Sequence, residues 1–236
     1  MVFLKNRYPL ICAVVAVVGI LLGVIYSHRS VSAFISDSYS GRTVILDAGH
    51  GGVDGGASSA DGIIESDINL EITKRLALLM IFCGQRVALT RIDAGDLSSP
   101  DAQSIREKKV SDLQNRVAAI NSISNATLIS IHQNSLGGQI RVHGAQVFYN
   151  TAQNADRMAN HVQQHLNDTV NVLNSRNPKP IDTSIYLMKH VLCPAILVEC
   201  GFLSNPSEAH KLCTPEHQKH LILAISAGYL CYIGAV

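Results

Sequence analysis

Short, unbroken apolar runs alternate with longer segments of helical periodicity along most of this chain. The runs are Thr43 to Leu46, RVALTR (86–91), ATLISIH (126–132), GAQVFYN (144–150), SIYLMKH (184–190) and PAILVECGF (194–202). A strand buried on both faces is apolar at successive positions, not only at alternate ones, so each run reads as a strand inside a covered sheet. Between them, Ile68, Ile72, Leu76, Leu79 and Phe82 recur at helical spacing, and Gly84 ends that helix. Val110, Leu113, Val117 and Ile120 form the inward stripe of a second helix. A third, within residues 153–173, carries Met158, His161, Val162, His165, Leu166 and Val170. SEAHKLC (207–213) and PEHQKHLILAISAGYLCYI (215–233) close the chain as helices. The pattern predicts a single α/β domain: a mostly parallel, twisted sheet of about six strands with helices on both faces. Ligands of such sheets bind beyond the carboxyl ends of the strands.

The N-terminus is different. Lys5 and Arg7 precede an uncharged apolar run from Pro9 to Tyr26, long enough for a membrane-spanning helix. Basic residues ahead of it keep the N-terminus in the cytoplasm and send the body outside. Val31-Ser32-Ala33 also fits a signal-peptide cleavage site, so the run is either an anchor or a cleaved signal. The expected organisation is an anchor or signal over 1–26, a Ser-rich linker over 27–41, and a folded catalytic domain over 42–236. In either case the domain is exported.

A formal net charge of +1, no Trp and 5% aromatics argue against nucleic acid as a partner. Cys12 lies in the apolar run. Cys83, Cys193, Cys200, Cys213 and Cys231 are odd in number and lack CxxC spacing, which predicts buried free thiols and no thiolate metal site.

Four polar residues stand at or near strand ends. His50 follows VILDAG, His132 ends ATLISIH, Glu199 ends PAILVE, and Glu65 opens the first helix on the far side of a glycine loop. That loop lies within VILDAGHGGVDGG (44–56), which invites three explanations: a phosphate cradle, a tight turn, or a metal ligand on a strand end. Neither GxxxxGK[ST] nor GxGxxG is present, and Asp47 and Asp54 would repel an anion. A turn explains the glycines but not His50. Two His and one carboxylate with an open fourth position make a catalytic zinc set, and the remaining Glu can serve as general base on an activated water. Taken singly, each residue also has a plain role, such as Glu65 complementing a helix N-terminus. Asp47 is a candidate to orient His50 or bond the loop, and Asn134 to orient substrate or cap a loop. Arg91 and Arg116 read as structural charges. The polar loop 92–106 is a candidate substrate or partner surface.

ILDAGHGGVDGG, IIESDINLEI, LTRIDAGDL, DLQNRVAAIN, LISIHQNSL, GAQVFY and LVECGFLSNPSEAHKL resemble, in order, the motifs of zinc-dependent N-acetylmuramoyl-L-alanine amidases of the Amidase_3 family. The resemblance covers nearly all of residues 42–232 and is greatest to the germination-specific, CwlD-like type of endospore-forming bacteria. It implies zinc bound by His50, Glu65 and His132, with Glu199 as the catalytic glutamate. It implies peptidoglycan as substrate, cut at the amide between N-acetylmuramic acid and L-Ala. In the germination-specific type that step strips stem peptides from cortex glycan, and a deacetylase then completes muramic-δ-lactam. The enzyme would act at the cell wall or in the space between the forespore membranes, with an accessory exported protein as a further partner. A zinc peptidase acting within the stem peptide, and a partner-dependent or inactive wall-binding relative, remain alternatives. Two positions depart from the family pattern: Gln133, and Cys200, a further oxidisable or metal-attracting group near the site.

Overall fold

The computed structural model describes residues 41–234. The expected anchor and almost all of the linker lie outside the described residues, among which no helix is long and apolar enough to cross a membrane. Among the described residues six strands form one sheet: β1 (Thr43–Ala48), β2 (Arg86–Leu89), β3 (Ala126–Asn134), β4 (Gln146–Tyr149), β5 (Lys179–Pro180) and β6 (Ala195–Phe202). Their order is β2-β1-β3-β6-β4-β5. All neighbours pair in parallel except β4, which runs antiparallel to β6, so the sheet is mixed. The connection explains the exception. Residues 135–145 between β3 and β4 hold no helix. A parallel pairing needs a crossover of a dozen residues or more to return to the opposite edge.

The helices are α1 (Glu65–Phe82), α2 (Ile105–Asn121), α3 (Ala155–Thr169), α4 (Tyr186–His190), α5 (Pro206–Leu212) and α6 (Pro215–Gly234). Side chains alternate across each strand, so β1 and its neighbours feed two cores. Val44, Leu46, Ile129, Ile131 and Ile196 face one side, against Ile72 of α1, Met158 of α3 and Ile225 of α6. Ile45, Leu128 and Leu197 face the other, against Ile120 of α2 and Leu187 of α4.

Several sequence expectations change. SIYLMKH contributes a short helix, α4, and the sixth strand is β5 instead. Seven residues are too few to fix a period, and Ser184 N–H donating to Asp182 Oδ1 at 2.8 Å turns the chain just ahead of the helix. In α1 the buried stripe is Ile68, Ile72, Leu76 and Met80, while Phe82 is 89% exposed in the last turn. In α2 the buried residues are Asp112, Arg116 and Ile120, and Val110 is 48% exposed. Leu113, Val117 and Ile120 join the second core as expected, while Asp112 and Arg116 cover the carboxyl end of β1, where Asp47 is buried. That helix also starts inside the expected loop: Ser104 and Glu107 form a capping box that sets its first turn at Ile105. Among the described residues the five thiols are free, but only Cys200 is buried; Cys213 and Cys231 are exposed.

Gly228 fixes how closely α6 meets α3. A Cβ there would lie 2.5 Å from Val162 Cα, a backbone atom that cannot swing aside. Ala is the better helix former by about 1 kcal/mol, whereas overpacking costs up to about 3 kcal/mol. Gly228→Ala should therefore lower stability by about 2 kcal/mol, read as a fall in the denaturant midpoint.

His217, in the first turn of α6, is buried and its Nε2 has no partner among the described residues. Burial, aided by Lys211 and His220, pushes its pKa down to about 4. Between that value and the ordinary 6.5, the unfolded chain takes up a proton that the folded chain refuses, so stability falls as pH drops through this window. His217→Asn should lose less stability than the parent on acidification from pH 6.5 to 4, by denaturant titration at each pH.

Candidate metal centre

The carboxyl end of β1 turns sharply into the glycine loop. His50 sits there with φ of 62°, in the left-handed region that a non-glycine residue seldom adopts. Two contacts hold it: Arg116 Nη2 donates to the His50 carbonyl at 2.7 Å, and Gly51 and Asp54 close the loop by paired backbone hydrogen bonds of 2.8 and 2.9 Å. Gly49 is required by proximity, since a Cβ would stand 2.3 Å from the His132 ring at the end of β3. The ends of β1 and β3 thus bring the two imidazoles together, with ring centroids 5.0 Å apart.

Glu65, the first residue of α1, lies between them. Its Oε1 is 3.3 Å from His50 Nε2 and 3.0 Å from His132 Nδ1. The donor atoms of His50, Glu65 and His132 all lie within 4.8 Å of one another. Three donors on one tetrahedral zinc stand roughly 3.3 Å apart, so small side-chain adjustments within this 4.8 Å cluster bring the set onto that ion. Its chemistry fits as well, since imidazole and carboxylate are ordinary zinc ligands. Ala57 N–H donates to Glu65 Oε2 at 2.8 Å and Gln133 N–H to Oε1 at 3.1 Å. Asn69 Nδ2 reaches Glu65 Oε1 at 3.3 Å and the Gly49 carbonyl at 3.1 Å.

The charges are tightly coupled. Burial works against a charged His50, but Glu65 and then Asp54 outweigh it and hold its pKa at about 9. Burial likewise opposes ionisation of Glu65, yet His132 and His50 keep its carboxyl well below the usual range.

Glu199 sits on β6, in register with His132 on β3. It lines the same cavity, of about 500 Å³, without joining the three-donor cluster. Its Oε2 is buried and has no hydrogen-bond partner among the described residues. Burial pushes its pKa up to about 7; nearby His132 opposes this and Glu65 adds to it.

The other candidates fall into different places. Asn134 ends β3 and lines the cavity. Asp47 does not touch His50. It is fully buried beneath the site, accepting from Arg116 Nη1 at 2.7 Å, Thr90 Oγ1 at 2.7 Å and Ser130 Oγ at 2.5 Å. Those partners hold its carboxyl below the usual range against the pull of burial. It acts on the loop through Arg116. The contact expected of Asp47 is made by Asp54, whose Oδ2 is 2.8 Å from His50 Nδ1. Sequence reasoning took Asp54 only as an obstacle to anions; its signal was the four-residue spacing from His50 within a closed loop. Lys109, Asn69 and Gln133 were missed as well. Cys200 is buried, burial pushes its thiol far up, and it stands outside the three-donor cluster. Residues 92–104 pack beside the glycine loop, with Gly52 N–H donating to the Ala94 carbonyl at 2.7 Å.

The family model for N-acetylmuramoyl-L-alanine amidase, Amidase_3, matches residues 44–230. The chain belongs to the Amidase_3 family. This amidase is 37% identical over 195 residues to the germination-specific N-acetylmuramoyl-L-alanine amidase of Bacillus subtilis, covering 82% of this chain and 80% of the relative. It superposes on the CwlD amidase of Clostridioides difficile, solved with the GerS lipoprotein, with a TM-score of 0.78 and 38% identity, covering 82% of this chain and 99% of that one. A second C. difficile N-acetylmuramoyl-L-alanine amidase gives a TM-score of 0.71 at 30% identity, covering 82% and 97%. The chain is thus an enzyme that hydrolyses peptidoglycan as an N-acetylmuramoyl-L-alanine amidase.

Proposed function

We propose that this amidase is zinc-dependent, with His50, Glu65 and His132 as ligands and Glu199 as the proton-transfer residue, and that it strips stem peptides from spore cortex glycan. One observation carries the reading: three donor atoms converge within 4.8 Å beside a cavity that also holds the unpartnered Oε2 of Glu199. When bound, zinc supplies Lewis acidity, lowering the pKa of water to about 7 and polarising an amide carbonyl. Glu199 accepts the proton of the attacking water and returns it to the L-Ala nitrogen as the carbon–nitrogen bond breaks. A carboxyl with a pKa near 7 suits both halves of that exchange, because acid and base forms are then close in energy. Asn134 orients the substrate from the cavity wall. Asp47 holds Arg116, and through it the His50 carbonyl.

Likeness to germination-specific relatives supports the cortex as the wall layer cut, and a muramic acid deacetylase as the enzyme that acts next. The complex of the C. difficile relative with a lipoprotein supports an accessory exported partner. Residues 42–236 then form the catalytic domain, working outside the cytoplasmic membrane, at the wall or between the forespore membranes. The apolar run over 9–26 would deliver or tether it there.

Digestion of purified cortex peptidoglycan tests the reading. Free stem peptides bearing an L-Ala amino group, released in a chelator-sensitive reaction, support it. Fragments cut inside the stem peptide would instead make the enzyme a zinc peptidase.

A further inference from the structure

We infer that Asp54 and Lys109 form a positioning pair that selects Nε2 of His50 as its metal donor, so that α2 helps to set metal affinity. This rests on the zinc reading above. A neutral imidazole has one protonated and one lone-pair nitrogen, and the partner of the first decides which nitrogen is left to bind a metal. His50 Nδ1 faces Asp54 Oδ2 at 2.8 Å, which keeps a proton on Nδ1 and leaves Nε2, 3.3 Å from Glu65, as the nitrogen that gives up its proton when a metal binds. His132 presents the opposite nitrogen, Nδ1, to the same carboxylate oxygen at 3.0 Å. The two rings therefore need opposite tautomers, and a fixed carboxylate at His50 prevents the wrong one.

Asp54 is itself held. Lys109 Nζ, from α2, is 2.7 Å from its Oδ1. The Gly56 N–H reaches the same oxygen at 3.2 Å. Lys109 and Asp54 both line the catalytic cavity. Arg116 on the same helix holds the His50 carbonyl at 2.7 Å. His50 is thus gripped at the main chain and at the ring by groups that trace back to one helix. Lys109 carries no part of the bond-breaking chemistry; it acts through Asp54, and Asp54 acts through His50.

The test measures zinc affinity of the full chain by competition with a chromophoric chelator, together with the visible absorption of the cobalt-substituted protein. Asp54→Asn keeps the shape and the Oδ1 acceptor for Gly56 but loses the carboxylate, and zinc should bind about 10–100-fold more weakly with an altered cobalt spectrum. Lys109→Met should weaken binding by a factor of about 2–5, the range of a partly exposed ion pair. The double variant should bind no more weakly than Asp54→Asn, since Lys109 works only through Asp54. Wild-type affinity and spectrum in Asp54→Asn would overturn the proposal, and additive losses would overturn the part given to Lys109. If Asp54→Asn melts early without metal, Lys109→Met carries the test, and its unchanged affinity would count against the pair. Failure of the underlying reading looks different: the parent chain would then bind no zinc that His50→Ala abolishes.

Discussion

Glu199→Gln should retain one zinc per chain and lose amide hydrolysis by about 10²–10⁴-fold, the usual contribution of a positioned acid–base group. The substitution keeps the shape of a side chain that sits in register with His132 and lines the cavity without joining the three-donor cluster. Its Oε2 has no internal partner to lose, so the fold should be indifferent to the change. Removing a buried carboxyl whose pKa is pushed up to about 7 also removes a desolvation cost, and stability should hold or rise slightly. Metal content by atomic emission and product release from peptidoglycan, measured on one sample, separate the two roles. Loss of zinc in this variant would make Glu199 a ligand and leave the proton-transfer role unassigned.

His132→Ala should behave in the opposite way, losing zinc and activity together. The ring supplies one of three donors and also faces Glu65 Oε1 at 3.0 Å. Without it a buried carboxylate keeps His50 but loses the first of the two partners that hold it ionised. Ligand binding raises apparent stability in proportion to the logarithm of free ligand over Kd. Added zinc should therefore raise the melting temperature of the parent protein and leave that of His132→Ala unmoved. A zinc-dependent rise in the variant comparable to the parent's would remove His132 from the ligand set.

Much of this was legible in the chain because the relevant signals are local. Apolar runs such as TVIL and ATLISI mark strands, and a polar residue directly after such a run lies at the sheet's carboxyl edge. That rule singles out His132 and Glu199; His50, three residues past the Asp47 that follows TVIL, stands out because a turn explains the glycines around it but not the imidazole. Glu65 was readable because a glycine loop folds the chain back on itself. What escaped depends on three-dimensional packing. The antiparallel β4 follows from the absence of a helix between it and β3, and no residue type marks it. SIYLMKH has strand-like residues but too short a period to be told from a helical turn. Leu113, Val117 and Ile120 of the expected stripe in α2 do join the second core, but Arg116, held by Asp112, also turns inward onto buried Asp47, a partner 69 residues away that no periodicity reveals. Asp47, a candidate to orient His50 or bond the loop, and Asp54 both flank His50 in sequence, and only the backbone path of the loop decides that Asp54 meets its ring.

The shell of atoms around the bound metal offers the most direct test. X-ray absorption at the zinc edge on the full chain should give nitrogen and oxygen neighbours alone, at about 2.0–2.1 Å, with the scattering pattern of two imidazoles. A sulfur neighbour at about 2.3 Å, or a shell with one imidazole or none, would contradict the account.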